Sequence, residues 1–386
     1  MTLSIPFVDL KAQYAAIRDQ VEPAMAEVLE SAHFVGGPVV ERFEREFAEF
    51  CGAAFAVSVA NGTDAISMAL RAAEIGPGDE VLVPANSFFA SAEAVSNIGA
   101  TPVFVDVEAR TFLMDPASAA AAITPRTRAI LPVHLFGRAL DMRPFVKLAA
   151  AHGLTIVEDC AQAHGAVISG ETVGSSGRLT CYSFYPGKNL GAYGDGGAIT
   201  TNNPQLRQRL LELRDHGSPR KYEHARVGYN SRLDALQAAV LSVKLRCLAD
   251  WNAARRRHAE TYAAALEGLP ILPPDIPPAG EHVFHLFVVR SACRDPLQKF
   301  LASRGIATGI HYPTPLHLTE AYQRLGAPGP GSCPVAEALS AEILSLPMYA
   351  ELTAKQLRYT TETIREFLHT NPVEAPPGEG ALHSVA

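Results

Sequence analysis

The 386-residue chain is 48% hydrophobic and 19% charged, with a net charge of −7. That balance suits a globular protein of two or three domains and argues against a nucleic-acid surface; the one compact basic run, residues 255–257, reads as a solvated helix face. No apolar run approaches the ~20 residues of a membrane span, MTLSIPFVDLKAQY lacks the build of a signal peptide, and Cys51, Cys160, Cys181, Cys247, Cys293 and Cys333 form no ligand-spaced cluster, so free thiols in the cytoplasm and no metal site are expected.

Taken in chain order, the apolar spacing predicts a helix over 14–33 despite Pro23, leading to a turn at Gly36–Gly37. From residue 55, strands and helices alternate. FAVSVA (55–60) reads as a buried strand and GTDAISMALRAAEI (62–75) as an amphipathic helix closed by GPGD. EVLVPA (80–85) is a strand, 88–98 a helix and TPVFVDV (101–107) a strand. RAILPVHLFG (128–137) reads as a strand ending at a glycine turn, MRPFVKLAAAHG as a helix and LTIVEDC (154–160) as the next strand. LTCYSFYP (179–186) and GGAITT (196–201) read as short β segments. This alternation predicts an α/β fold whose large domain, residues 1–250, has a mostly parallel central sheet flanked by helices. One long, broken helix is expected from Asp234 to about Leu266. After the Pro-rich LPILPPDIPPAG come a strand over 282–290 and helices near 295–304, 334–343 and 352–368. These predict a smaller C-terminal α/β domain, 251–370, and a solvated tail, 371–386.

Four motifs fall at the carboxyl ends of strands, where ligands gather in such sheets: ANGTDA, ANSFF, EDCAQ and SFYPGK. Lys188 stands alone in a run with five glycines, and no other lysine lies between Lys147 and Lys221. Burial lowers a lysine's pKa and makes its amine a nucleophile; a surface lysine in a pliable loop is the bland reading. Asp159 ends an apolar strand, where a carboxylate can hold a protonated ring nitrogen or simply cap the next helix. Gln162 can donate to a ligand oxygen, and His164 can stack nearby or sit satisfied in the core. Gly62 and Thr63 open a helix whose free N–H groups suit an anion, Ser183 can add a hydroxyl, and Phe88 can lie on an aromatic ring or in the core. Together these residues describe one ligand: a phosphate, an aromatic ring with a basic nitrogen, a ring hydroxyl and an aldehyde that meets a lysine. That ligand is pyridoxal phosphate (PLP). A dinucleotide-binding dehydrogenase would suit the βα pattern, but no G-x-G-x-x-G follows the first strand.

With these motifs in order, the sequence resembles the DegT/DnrJ/EryC1/StrS sugar aminotransferases, of PLP fold type I. The resemblance runs from PFVDLKAQY to LSLPMY (344–349) through ANGTDA, SFFAS, PVFVDV, EDCAQAHGA, SFYPGKNLGAYGDGGAI and GYNSRLDALQAA. It implies that Lys188 is the Schiff-base lysine and proton shuttle. Asp159 would pair with the pyridinium nitrogen, Gln162 would sit against the ring and Phe88 would stack on it. Gly62, Thr63 and Ser183 would hold the phosphate. Asn230, otherwise a turn residue, would reach the phosphate of a neighbouring subunit, so a homodimer with shared sites is implied. The implied reaction moves the amino group of L-glutamate onto a keto-sugar linked to a nucleotide diphosphate. The segment 216–234 and the start IPFVDLKAQY resemble the branch that aminates C3; C4 and inosose amination stay open. His311 and Tyr312 are candidates to approach the substrate, and Arg220, Lys221 and Tyr222 to meet its diphosphate, against solvated-loop readings for both groups. A PLP-dependent dehydratase or lyase is the second reading, although its known version lacks the lysine. A regulatory protein on the same fold is the third.

Overall fold

The computed structural model describes residues 3–176, 178–371 and 374–376. Most of the expected tail, 371–386, lies outside them. The chain opens with α1 (Leu10–Ser31), which Asp9 caps by accepting from the Ala12 N–H at 2.9 Å. Next comes α2 (Gly37–Cys51), with Val40, Phe43, Phe47 and Cys51 on its buried face. The sequence reading saw only a turn here, yet those four residues recur at helical spacing, and Gly52 closes the helix at φ +68°.

The alternation that follows matches expectation in β1 (Phe55–Val59), α3 (Gly62–Ala72), β2 (Glu80–Pro84), α4 (Phe89–Asn97) and β3 (Thr101–Val105), adds α5 (Pro116–Ala121), where no helix was expected, and resumes as expected with β4 (Thr127–Ile130), α6 (Arg143–His152) and β5 (Thr155–Asp159). A hairpin of β6 (Val167–Ile168) and β7 (Glu171–Thr172) precedes β8 (Leu179–Ser183) and β9 (Gly197–Thr201). One strand end in this part of the chain is corrected. The strand read over 128–137 stops at Ile130, because Pro132 lacks an N–H for the ladder and Phe136 turns left-handed at φ +59°.

Seven strands form the sheet in the order β1-β9-β8-β5-β4-β2-β3. Its pairings are parallel from β8 to β3, and only β9 runs against the rest. The carboxyl ends of β1, β2, β5 and β8 therefore lie along one edge. Helices cover both faces: α3 and α4 pack with Val57, Val83 and Val157, whereas Ile130, Ile156 and Phe145 of α6 meet on the other side.

Beyond α7 (Pro204–Arg214), the expected broken helix is two, α8 (Ala235–Leu245) and α9 (Leu248–Leu266). The strand expected from 282 begins only at Phe287, since Phe284 is left-handed at φ +44°. This strand, β10 (Phe287–Arg290), is followed by α10 (Arg294–Ser303), α11 (Glu320–Arg324), α12 (Pro334–Glu342), β11 (Ile343–Leu346) and α13 (Ala354–Thr370). β10 and β11 pair antiparallel over a core of Tyr262, Leu301, Ile364 and Phe367, which Ile5 joins from the N-terminus. Two pieces of this region pack back on the first sheet. Tyr322 of α11 joins the core around Val83, and Asp106 accepts the N–H groups of Val335 and Ala336 at 2.9 Å each, capping α12.

Candidate active site

The lysine turn leaves the end of β8. Tyr182 and Phe184 face inward onto the α2 rings, with Phe47 edge-on to both at 4.9 and 5.2 Å, so the alternation of the strand turns Ser183 the other way. The turn is held by the Lys188 N–H donating to the Tyr185 carbonyl at 2.8 Å and the Ala192 N–H donating to the Phe184 carbonyl at 2.7 Å. None of the five glycines in this run has positive φ. They are needed for close approach instead: a Cβ on Gly191 would collide with the Pro186 carbonyl.

Lys188 is half-buried, and among the described residues its amine has no hydrogen-bond or ion-pair partner. Burial lowers its pKa to about 8, against the pull of the Asp159 charge. Asp159, 5% exposed, ends β5. Its Oδ1 accepts from the Ala161 N–H at 3.0 Å and its Oδ2 from the Ser91 hydroxyl at 2.9 Å, which in turn lies 2.8 Å from Ser87 Oγ. Each carboxylate oxygen keeps a lone pair for a further donor. The serine relay was not legible in the sequence beyond its four-residue spacing at the start of α4.

Gln162 bridges the two regions. Its Oε1 accepts from the Phe136 N–H at 2.6 Å and its Nε2 donates to the Tyr312 hydroxyl at 3.2 Å. Tyr312 lies against Phe88, 5.6 Å between ring centroids, and Phe88 stays 54% exposed. His311 stacks on Phe7 at 5.5 Å with Nδ1 2.8 Å from Ser345 Oγ; burial and the nearby Lys188 lower its pKa to about 4. His164, fully buried against Tyr182 and Phe184, is lowered to about 3 by burial and by Lys188. His285, which the sequence reading did not single out, is also held neutral beside Lys188.

At the start of α3, Asn61 accepts from the Asp64 N–H at 2.8 Å, leaving the Gly62 and Thr63 N–H groups for a ligand. A Cβ on Gly62 would stand 2.7 Å from Ser183 Cβ, so only glycine lets the helix start and the serine close one cradle. Lys188, Asp159, Gln162, Phe88, His164, His311 and Tyr312 thus come together, with Gly62, Thr63 and Ser183 beside them. Four other candidates lie apart: Asn230, and Arg220, Lys221 and Tyr222 on one exposed turn. Asn230 is exposed and its Oδ1 accepts from Arg232 at 2.6 Å, while the adjoining Ser231 donates to Asp64 at 2.6 Å. Lys221 sits over the Tyr222 ring at 5.1 Å, on an exposed turn where Tyr222 is 83% exposed.

Under the same edge, Glu158 accepts from Arg178 at 2.7 Å and faces His134 at 3.1 Å. Burial alone would raise this carboxyl; the hydrogen bond and charge of His134, with Arg178, bring it below its ordinary value.

The model of the DegT/DnrJ/EryC1/StrS aminotransferase family matches residues 15–365. The chain belongs to that family. Family members of known name are similar over nearly their whole length. A UDP-N-acetyl-3-dehydro-alpha-D-glucosamine 3-aminotransferase of Acidithiobacillus ferrooxidans is 47% identical, over 95% of this chain and 98% of its own. A dTDP-3-amino-3,4,6-trideoxy-alpha-D-glucose transaminase of Streptomyces venezuelae is 48% identical, over 95% of this chain and 97% of its own. Among solved structures, S. venezuelae DesV in complex with a ketimine intermediate superposes with a TM-score of 0.93 at 47% identity, over 97% of this chain and 100% of that one. The fold is thus that of the aminotransferases, an α/β large unit with a mostly parallel sheet.

The residues present fit pyridoxal phosphate. The glycine-opened cradle suits a phosphate, the Asp159 carboxylate a protonated ring nitrogen, and the unpartnered Lys188 amine an aldehyde.

Proposed function

We propose that this chain is a PLP-dependent transaminase that moves the amino group of L-glutamate onto C3 of a keto-sugar linked to a nucleotide diphosphate. The observation that carries this reading is the unpartnered Lys188 amine, kept at about 8 by burial, beside the buried Asp159 carboxylate. Names of relatives on both the UDP and dTDP sides support C3, and leave the nucleotide open between them.

When bound, the cofactor supplies the carbonyl that takes up the amino group and a ring that withdraws electrons from the substrate carbon. Gly62, Thr63 and Ser183 would hold its phosphate, Asp159 would keep its ring nitrogen protonated, and Gln162 and Phe88 would contact its ring. Lys188 Nζ, unprotonated above about pH 8, accepts the proton from the substrate carbon and returns it. Neutral His311 and Tyr312 offer the sugar hydrogen-bonding groups without adding charge. Lys221 and Tyr222, exposed on their turn, are assigned to the diphosphate.

The reading divides the chain into 1–250 and 251–370, with Lys188 and Asp159 from the first unit and His311 and Tyr312 from the second. It includes a homodimer in which Asn230 completes the partner's phosphate site. Support comes from apolar side chains left exposed around the lysine turn: Phe34, Val35, Tyr185 and Tyr193. The six unpaired cysteines support a reducing cytoplasm, and among the described residues no helix is long and apolar enough to cross a membrane.

The test is amino-sugar formation from a UDP- or dTDP-linked 3-keto-sugar with L-glutamate. Lys188→Ala is expected to lower kcat by at least about a thousandfold, as loss of a nucleophile and proton carrier does. Wild-type turnover in the variant would sink the proposal.

A further inference from the structure

Asn189, the residue after Lys188, is 1% exposed and carries bonds that no step above uses. Its Nδ2 donates to the Val283 carbonyl at 3.0 Å and to Asn252 Oδ1 at 2.9 Å. Asn252 Nδ2 in turn donates to the His164 carbonyl at 2.9 Å. Backbone carbonyls only accept, so both amides are oriented and Asn189 Oδ1 is left facing His285 Nδ1 at 3.1 Å. An amide oxygen also only accepts. The His285 proton therefore sits on Nδ1, and Nε2 carries the lone pair.

The backbone beneath His285 is pinned as well. The buried Arg255 donates through Nη1 to the carbonyls of Phe284, His285 and Met348 at 3.2, 3.3 and 3.0 Å. Burial first, and then Lys188, Arg255, His311 and His164 around the ring, keep His285 uncharged. One chain of hydrogen bonds thus joins the loop after β5, α9, the lysine turn and the segment before β10. Among the described residues Lys188 itself has only its backbone bond to Tyr185; the anchorage of its neighbour is what locates it.

We propose that His285 is a positioning residue for Lys188: through its Nδ1–H bond to Asn189 it fixes the turn on which the lysine stands and keeps the amine away from bulk water. The proposal rests on Lys188 being the reactive amine. His285 acts through Asn189 and touches no reacting atom.

The test uses the full-length protein without cofactor. Competitive labelling with acetic anhydride across pH, read by mass spectrometry of the Lys188 peptide, follows the titration of that one amine. The wild-type midpoint is expected near 8. His285→Leu cannot donate to Asn189. Its turn loosens, water reaches the amine, and the midpoint is expected to rise by about one pH unit, a tenfold change in protonation. His285→Asn puts an amide nitrogen where Nδ1 stood and is expected to restore the wild-type midpoint. His285→Gln, whose nitrogen reaches the position of Nε2 instead, is expected to behave like His285→Leu. Midpoints near 8 in both the Leu and Gln variants would overturn the proposal, even if their thermal stability fell, since that is all a purely structural histidine predicts. If His285→Leu does not fold, the Asn and Gln variants carry the same contrast. A wild-type midpoint near the ordinary lysine value of about 10.4 would instead sink the reading of Lys188 and the proposal with it.

Discussion

Gly62 shows how little space the phosphate cradle leaves. Alanine is the better helix residue by about 1 kcal/mol, so Gly62→Ala should not harm α3 itself. Its methyl group would meet Ser183 Cβ at 2.7 Å and force the cradle open. The expected outcome is a modest loss of stability, about 1–3 kcal/mol from the forced contact, with PLP affinity of the folded protein weakened about tenfold or more, about 1.4 kcal/mol, measured by fluorescence titration; unchanged affinity would contradict the cradle. Lys188 gives a pH prediction. Burial lowers its pKa, so the reactive neutral amine is gained as pH rises through about 8. The rate of PLP capture should climb to that point and then level, whereas an ordinary lysine would keep it climbing past 10. Lys188, Asp159 and Gln162 were legible because each sits at or just past a strand end. Ser91 and His285 were not, because their value lies in bonds to Asp159 and Asn189, 68 and 96 residues away in sequence.

The helices and strands that position these residues owe their boundaries to local chemistry, and the misread ones share a cause. Apolar runs were extended through Pro132, Phe136 and Phe284, where a missing N–H or a left-handed backbone ends the ladder. α2 is masked in the sequence by its own start, since Gly36, Gly37 and Pro38 have the composition of a turn while the apolar spacing that marks the helix begins only at Val40. It matters to the site: Phe47 backs the two rings that flank Ser183. Phe47→Ala should destabilise the protein by about 3–5 kcal/mol, measured by denaturant unfolding. A cost below about 1 kcal/mol would mean that α2 does not brace β8.

For the whole molecule, the composition and the βα alternation already contained the sheet class, but not the strand order, which depends on pairings that no local pattern encodes. Nor did they reveal how far the C-terminal region reaches back, through Asp106 at the start of α12 and Tyr322 in the first core. The proposed homodimer with shared sites makes a prediction at this scale. Asn230→Ala and Lys188→Ala homodimers should each be impaired. Their heterodimer contains one site with both residues intact and should recover about half of wild-type activity, by the symmetry of a two-fold assembly. No recovery in verified heterodimers would exclude a shared site.

The most direct test of the central claim needs no sugar. It is the visible absorption spectrum of the protein with PLP, before and after L-glutamate. The account predicts an absorption band from cofactor held on Lys188, absent in Lys188→Ala, which glutamate bleaches as the cofactor takes up the amino group. A protein that gives no such band with PLP, or a band that glutamate leaves untouched, would contradict it.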